Sequence, residues 1–356
     1  MRIVHTSDLH IDSALTSNLS EPKASERRHE LLYNFERLIN RAREVGASII
    51  VIAGDLFDTQ RISKRAKDTV LAAIERARDI AFLYLPGNHE AYALLGECLP
   101  TNIHVFGKDW TYFETEEVLF AGRSECAAGM FNGYAPSETK LNVVVLHGEE
   151  AQSSDKDGKI GIKEIEGKGI NYLALGHYHK YSKKIIDGCS VVYSGTPEGR
   201  GFDETGDKGF SLIEYKDGAL RDGFVSFAKR KMHDIKADVS QAQSTYDVEI
   251  AAEDALDGID PRDMVRLTLV GKCGSVITKN LDGLARKFGD TFYYFELRDE
   301  SRTSVASEKY MYDKSLKGEF IRLVSEDDSL SEEEKEKIIN TGLYALEGDV
   351  GEELLI

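Results

Sequence analysis

Five short apolar runs punctuate the first half of the chain: IVHTS (3–7), SIIVIAG (48–54), IAFLYLPG (80–87), LNVVVLHG (141–148) and INYLALGH (170–177). Rich in β-branched residues and nearly continuous in apolar character, they predict strands buried on both faces. Between the first three, residues 24–45 and 63–78 carry apolar positions three and four apart. Leu31, Leu32, Phe35, Leu38 and Ile39 share one face, which predicts an amphipathic helix. The resulting βαβαβ order is the signature of a layered α/β domain. From 184 to 227 the runs shorten to SVVYSG, KGFSLIEY and GFVSFA between tight turns, predicting an antiparallel flank.

The pattern pauses near Lys229–Lys231 and restarts. MHDIKADV, a helical stretch at 242–257, MVRLTLVG, the helical ITKNLDGLARKF and FYYFELRD predict a smaller α+β domain over 231–303, after a first domain of 1–230. An acidic helical tail, 304–356, follows, with helices expected at 315–325 and 331–346. Ser331 and Glu334 have capping-box spacing at the start of the second. In the first, Phe320, Leu323 and Val324 surround Ile321 as an apolar stripe, which predicts a docking face for a partner helix; packing within the chain is the alternative.

Composition changes this picture in three ways. No apolar run approaches the roughly 18 residues of a membrane span, and MRIVHTSDLH leaves no room for a signal peptide ahead of the first strand, so a cytoplasmic location is expected. Cys98, Cys126, Cys189 and Cys273 are scattered without a CxxC pair, which argues for reduced, buried thiols rather than a disulfide framework or a cysteine zinc site. The net charge is −17, and residues 231–356 carry −12 of it. So acidic a chain has no long-range field drawing it to nucleic acid, and any contact with DNA must come from a local basic or metal-lined surface, or from a partner.

The candidate chemistry sits at the ends of the predicted strands. Asp8 and His10 follow the first, Gly54-Asp55 the second, Gly87-Asn88-His89 the third, His147 the fourth and Gly176-His177-Tyr178-His179 the fifth. The carboxyl edge of an α/β sheet is the crevice where sites are built. Carboxylate, imidazole and amide together suit manganese, iron or zinc better than calcium or magnesium alone. One Asp-x-His is more often a turn and one buried histidine more often a satisfied core residue; five such elements in order specify a metal site. Gly201 and Gly206 have phosphate-loop spacing, but Asp207 stands where lysine is required, and His89-Glu90 begins a zincin helix that fails at Ala93. His5, His29, His104 and His233 read as structural or surface residues.

The ordered set DLH, GDLFD, GNHE, LHG and GHYH resembles the calcineurin-like metallophosphoesterase superfamily over residues 1–230. HTSDLH, GDLFD and YSGTPEGRGFDETGDKG, with ELRDESRTS and KGEFIRL in the tail, are similar to the SbcD-type DNA repair exonucleases of the YhaO-like branch. The resemblance implies a layered αββα sandwich with a smaller α+β capping domain. It implies two divalent ions: one on Asp8, His10, Asp55 and His179, the other on Asp55, Asn88, His147 and His177, with Asp55 bridging and His89 as the acid. Manganese is the first expectation, with magnesium, iron or zinc as alternatives.

The activity implied is metal-dependent DNA exonuclease or endonuclease cleavage in double-strand break repair, at a nucleoid-associated site in the cytoplasm. The implied partner is an SbcC-like or YhaN-like coiled-coil ATPase, and a homodimer is among the assemblies allowed. A small-molecule or nucleotide phosphodiesterase or phosphatase of the same superfamily is the alternative. Protein phosphatases fit poorly, because GDLFDTQ lacks the phosphate-gripping arginines of their motif.

Overall fold

The structure, a computed structural model, describes all residues except 16–18, 60, 89–93, 95–97, 154–157, 275, 276, 278, 305–312 and 348–356. It divides into two compact units, Met1–Lys231 and Met232–Ile356.

In the first unit the apolar runs become the centres of two sheets. Its strands are β1 (Arg2–Thr6), β2 (Ile49–Ala53), β3 (Ala81–Leu85), β4 (Ile103–Val105), β5 (Thr111–Glu114), β6 (Val118–Gly122) and β7 (Leu141–His147), then β8 (Glu149–Ala151), β9 (Lys159–Gly161), β10 (Tyr172–Gly176), β11 (Ser182–Ile186), β12 (Cys189–Tyr193), β13 (Gly209–Lys216) and β14 (Ala219–Ser226). One sheet runs β14-β13-β1-β2-β3-β4 and the other β11-β12-β10-β7-β6-β5. β1 to β4 are mutually parallel, as are β6, β7, β10 and β12. SVVYSG, expected in the antiparallel flank, instead supplies β12, parallel to β10 and antiparallel only to β11, and the rest of the flank is the β13–β14 hairpin, which lies antiparallel against β1. Asp217 and Gly218, both at positive φ, close it as a type I′ turn would.

Period-two alternation explains why these strands carry apolar residues on both faces. Ile50 and Ile52 pack outward against the helices α1 (Glu21–Glu44) and α2 (Lys64–Arg76), whereas Ile49, Val51 and Ala53 pack inward with Leu83, Val143 and Val145 of the facing layers. The outer face of the second sheet, with Leu146, Leu173 and Leu175, is covered by Met130, Phe131, Ile162 and Ile165. These come from two single 3₁₀ turns, Met130–Gly133 and Ile162–Ile165. The expected α/β layering is therefore present, with short turns forming the fourth layer where a full helix was expected. Four-residue segments cannot offset the cost of nucleating an α-helix.

The second unit holds three parallel strands in the order β15-β16-β18: β15 (Met232–Asp238), β16 (Met264–Val270) and β18 (Tyr294–Asp299). A second pair, β17 (Lys272–Gly274) and β19 (Arg302–Ser304), lies apart from them. Parallel neighbours need crossovers, supplied by α3 (Thr245–Leu256) and α4 (Leu281–Gly289). Val248, Ala252, Leu284 and Phe288 of these helices pack on Val265, Leu267 and Leu269. α4 starts four residues later than the periodicity suggests, because Asn280 caps it by accepting from the Gly283 N–H.

Helices Leu316–Ser325 and Glu332–Glu347 follow, and Ser331 and Glu334 make the expected capping box. Ile321, Ile339 and Leu343 form a small buried core on which Phe320 and Val324 pack; Leu323 stays exposed. Most of the apolar stripe is thus internal, contrary to the docking face predicted, because its three- and four-residue spacing turns it toward the neighbouring helix. The four cysteines are free, and Cys98 is exposed rather than buried.

One buried ion cluster links α1 to the segments that carry the site. Arg27 is 1% exposed and both its terminal nitrogens lie 3.2 Å from Glu198 Oε1. Glu198 also accepts the backbone N–H groups of Lys229 and Arg230. Removing one partner of a buried pair leaves the other desolvated and uncompensated. Glu198→Ala is therefore expected to destabilise the first unit by about 3–5 kcal/mol in urea unfolding. A loss below about 1 kcal/mol, the range of exposed pairs, would contradict this account.

Candidate metal centre

The carboxyl ends of β1, β2, β7 and β10, with the segment after β3, bring the expected ligands together. Ligand atoms of Asp8, His10 and His179 lie within 4.8 Å of one another, and so do those of Asp8, Asp55 and His147. His10 Nε2 is 3.1 Å from His179 Nε2. His147 Nε2 is 2.9 Å from Asn88 Oδ1 and 3.3 Å from Asp55 Oδ2. Asp55 Oδ2 lies between the two groups, 3.8 Å from His10 Nε2. Two donors each about 2.1 Å from one ion, at angles from 90° to tetrahedral, stand roughly 3.0–3.4 Å apart. The His10–His179 and His147–Asp55 spacings fit that requirement and His147–Asn88 lies close to it, whereas Asp55 stands wider from His10 at 3.8 Å and Asp8 wider from His179 at 3.9 Å.

His177 is placed differently from the other histidines. Its backbone N–H donates to both Asp8 oxygens, at 3.0 and 3.1 Å, and its ring centroid is 5.5 Å from that of His147. Its imidazole is not part of either close group, although the residue lines the same cavity as Asn88 and His147. His89 lies outside the described residues.

The backbone is strained where the ligands sit. Asp8 (φ 53°), His10 (φ 45°), Asp55 (φ 51°) and His177 (φ 108°) all occupy positive φ, a conformation that costs a non-glycine residue on the order of 1–3 kcal/mol. Glycine makes the close approaches feasible. A Cβ on Gly87 would overlap the Asp55 carboxylate, and one on Gly54, itself at φ 89°, would overlap the His147 ring.

His147 and His179 are each aimed by the nitrogen turned away from the cluster. His147 Nδ1 donates to the Ala53 carbonyl at 2.9 Å, which leaves Nε2 for the site. His179 Nδ1 is 2.6 Å from Glu204 Oε1, and His10 Nδ1 faces Asp58 Oδ1 at 3.0 Å. Arg200 joins these two carboxylates, 2.8 Å from Asp58 and 3.0 Å from Glu204. Burial alone would raise the Glu204 pKa, but His179 and Arg200 override it and hold it at about 2, so Glu204 is ionised and can only accept. Asp58 and Glu204 stand inside GDLFD and GRGFDETGDKG, yet spacing alone assigned neither a role. A carboxylate behind a histidine is recognisable only in three dimensions.

The titration of the cluster follows from the same neighbours. Burial would lower the His147 pKa, but Asp55 and then Asp8 outweigh it and raise it to about 9. A divalent cation binding there at neutral pH must displace that proton. His179 is also raised, Glu204 overcoming its desolvation, whereas burial and the adjacent His147 lower His177. Elsewhere, His5 is fully buried 2.9 Å from the Tyr172 hydroxyl, with its pKa pushed down to about 3 by burial, and His233 pairs with Asp263 at 2.9 Å. Both are structural.

Glu204→Ala removes the group that fixes the ring and tautomer of His179. Manganese affinity, measured by calorimetry, should fall roughly 10–100-fold while the folded state persists. Unchanged affinity would mean that His179 is oriented without it.

The sequence profile of the calcineurin-like phosphoesterases matches residues 1–181. Over 329 residues the chain is 25% identical to YhaO, an uncharacterised metallophosphoesterase of Bacillus subtilis, covering 84% of this chain and 79% of that protein. It is 26% identical to the DNA double-strand break repair protein Mre11 of Methanopyrus kandleri over 255 residues, and 26% identical to that of Haloferax volcanii over 233, each match covering 62% of this chain. It spans 55% and 50% of these two archaeal proteins. With the family profile reaching over half of its length, and the matched region holding every residue of the two close groups, this chain belongs to the calcineurin-like phosphoesterase family, whose fold implies a dinuclear metal site.

Proposed function

We propose that this phosphoesterase is a manganese-dependent DNA nuclease that cleaves phosphodiester bonds in double-strand break repair. The observation that carries the reading is that the cluster opens to either side of His177. A cavity of about 740 Å³ lies on the Asn88–His147 side and one of about 790 Å³ on the His179–Glu204 side. A site open in two directions suits a polymer that continues past the cut. The Mre11 relatives, named for DNA double-strand break repair, support the same substrate.

In this reading Asp8, His10, Asp55 and His179 would hold one divalent ion, and Asp55, Asn88, His147 and His177 the other. The ions would supply Lewis-acid activation of water and neutralise phosphate charge. Asn88 contributes a neutral oxygen, which limits the negative charge gathered around an anionic substrate. Ala53, Glu204 and Asp58 keep the imidazoles aimed, so that little reorganisation is needed when substrate arrives. His89 is the proposed donor of the proton taken up by the leaving alkoxide.

Lys108 and Lys159 line the first cavity paired with Glu125 and Glu149 of the same lining, and Lys180 and Lys208 line the second beside Asp203 and Glu204, so phosphate contacts would fall chiefly to the bound ions and to the exposed Lys180. The 231–303 region is the proposed cap that selects DNA. A coiled-coil ATPase of SbcC or YhaN type is the proposed partner, complementing the acidic second unit with a basic surface. No helix among the described residues is long and apolar enough to cross a membrane. A cytoplasmic, nucleoid-associated location belongs to the proposal.

The test uses the full chain with end-labelled DNA and with bis-p-nitrophenyl phosphate, in manganese, magnesium or EDTA. Manganese-dependent DNA cleavage that EDTA abolishes is expected. Asp55→Asn should lose hydrolysis of both substrates together with bound manganese; near-normal turnover would overturn the assignment of Asp55. Hydrolysis of the small diester without any DNA cleavage, even with the ATPase present, would favour a small-molecule phosphodiesterase.

A further inference from the structure

The segment after β10 alternates in exposure. His177 and His179 are partly buried toward the cluster, whereas Tyr178 and Lys180 between and after them are exposed. Tyr178 is 39% exposed, large for an aromatic ring so close to a reactive centre. It lines the cavity on the His179 side, and the cavity on the other side begins at its neighbour His177.

The ring is held in place from behind. Its centroid lies 4.8 Å from that of Tyr193, a side chain only 2% exposed, and its hydroxyl lies near the Glu149 carboxylate. Tyr193 is fixed in turn by donating its hydroxyl to the Gly148 carbonyl at 2.9 Å. Tyr178 therefore packs at an angle on buried Tyr193 and beside His177, and the rest of its ring meets solvent in the cavity on the His179 side. Lys180 stands two residues on, within the same cavity lining.

We infer that Tyr178 is a stacking platform for the nucleobase beside the scissile phosphate, with Lys180 taking an adjacent phosphate. The inference rests on the DNA reading above and narrows its substrate class. A base can lie flat on Tyr178 only when it has left its own stack, so the preferred substrate is a single strand or a frayed end rather than continuous duplex. Base–aromatic stacking tolerates any sequence, because every base has a π face. An anchored ring also loses little freedom on binding, so more of the stacking energy appears as affinity. Tyr178 is a positioning residue here: it orients the strand and takes no part in bond breaking.

The experiment follows cleavage of fluorescent single-stranded and duplex oligonucleotides by the manganese-loaded full chain. Tyr178→Ala should raise KM for the single strand roughly 5- to 150-fold, the range for loss of one base–aromatic stack, with a much smaller change in kcat. Tyr178→Phe keeps the ring and should restore KM. Lys180→Ala should weaken binding with a shallower salt dependence.

On an oligonucleotide with abasic residues flanking the cut phosphate, wild type and Tyr178→Ala should have matching KM values, because the base that stacks is gone. The inference is overturned if Tyr178→Ala leaves KM unchanged. It is also overturned if the variant lowers kcat equally on intact and abasic strands, the signature of a brace for His177 and His179. If the wild-type protein hydrolyses bis-p-nitrophenyl phosphate but no oligonucleotide, the DNA reading itself fails, and this inference with it.

Discussion

Two carboxylates that water cannot reach dominate the first unit. Asp8 is fully buried and Asp55 is 2% exposed, with oxygens within 4.8 Å of each other. At an effective dielectric of about 20, two unit negative charges at that distance repel by roughly 3 kcal/mol. The Ser7 hydroxyl and the His177 N–H, both donated to Asp8, offset part of this, hydrogen bonds to a charged group being worth about 1.5–3 kcal/mol each. Positive charge beside the pair is favoured in addition. Without an ion the proton on His147 supplies part of it, which is why that imidazole titrates near 9. An ion bound there would exchange this proton for a larger charge, with the His147 imidazole then a neutral donor.

The rest of the unit serves to keep those groups where they would not otherwise go. Parallel strands of Ile, Val and Leu, covered on both faces, form a rigid edge from which four of the proposed ligands depart at positive φ. Local strain of this size persists only where surrounding packing over-determines it. The supporting carboxylates reach the site from other parts of the chain: Asp58 from the segment after β2, Glu204 from the long connection between β12 and β13. Glu198 ties that same connection to Arg27 on α1 and to the backbone at 229–230, so a residue with no contact to the cluster helps set the position of Glu204.

Much of this was legible in the sequence. Continuous apolar runs marked β1, β2, β3, β7 and β10, since a strand covered on both faces has no polar alternation to hide it. Polar residues at their ends marked seven metal candidates. β6, as long as β1 at five residues, was passed over, and β4 and β5 went unnoticed because they are three and four residues long, too short for a period to emerge. The 3₁₀ layer was missed for the same reason. Asp58, Glu204 and Arg200 lay in motifs that stood out, yet their role is to support other side chains, which no spacing rule encodes. The tail stripe was seen correctly as apolar and assigned the wrong neighbour, because periodicity identifies a face and not what covers it.

Most of the chain's negative charge lies beyond residue 231, away from the sequence segments that carry the candidate ligands. The proposed chemistry depends on two ions that would share Asp55. Crystals grown with manganese and measured at its absorption edge test that directly. Two anomalous peaks roughly 3.5–4 Å apart, one beside His10 and His179 and the other beside Asn88 and His147 with Asp55 between them, are the result predicted. A single ion, or ions bound away from Asp55, would contradict the account.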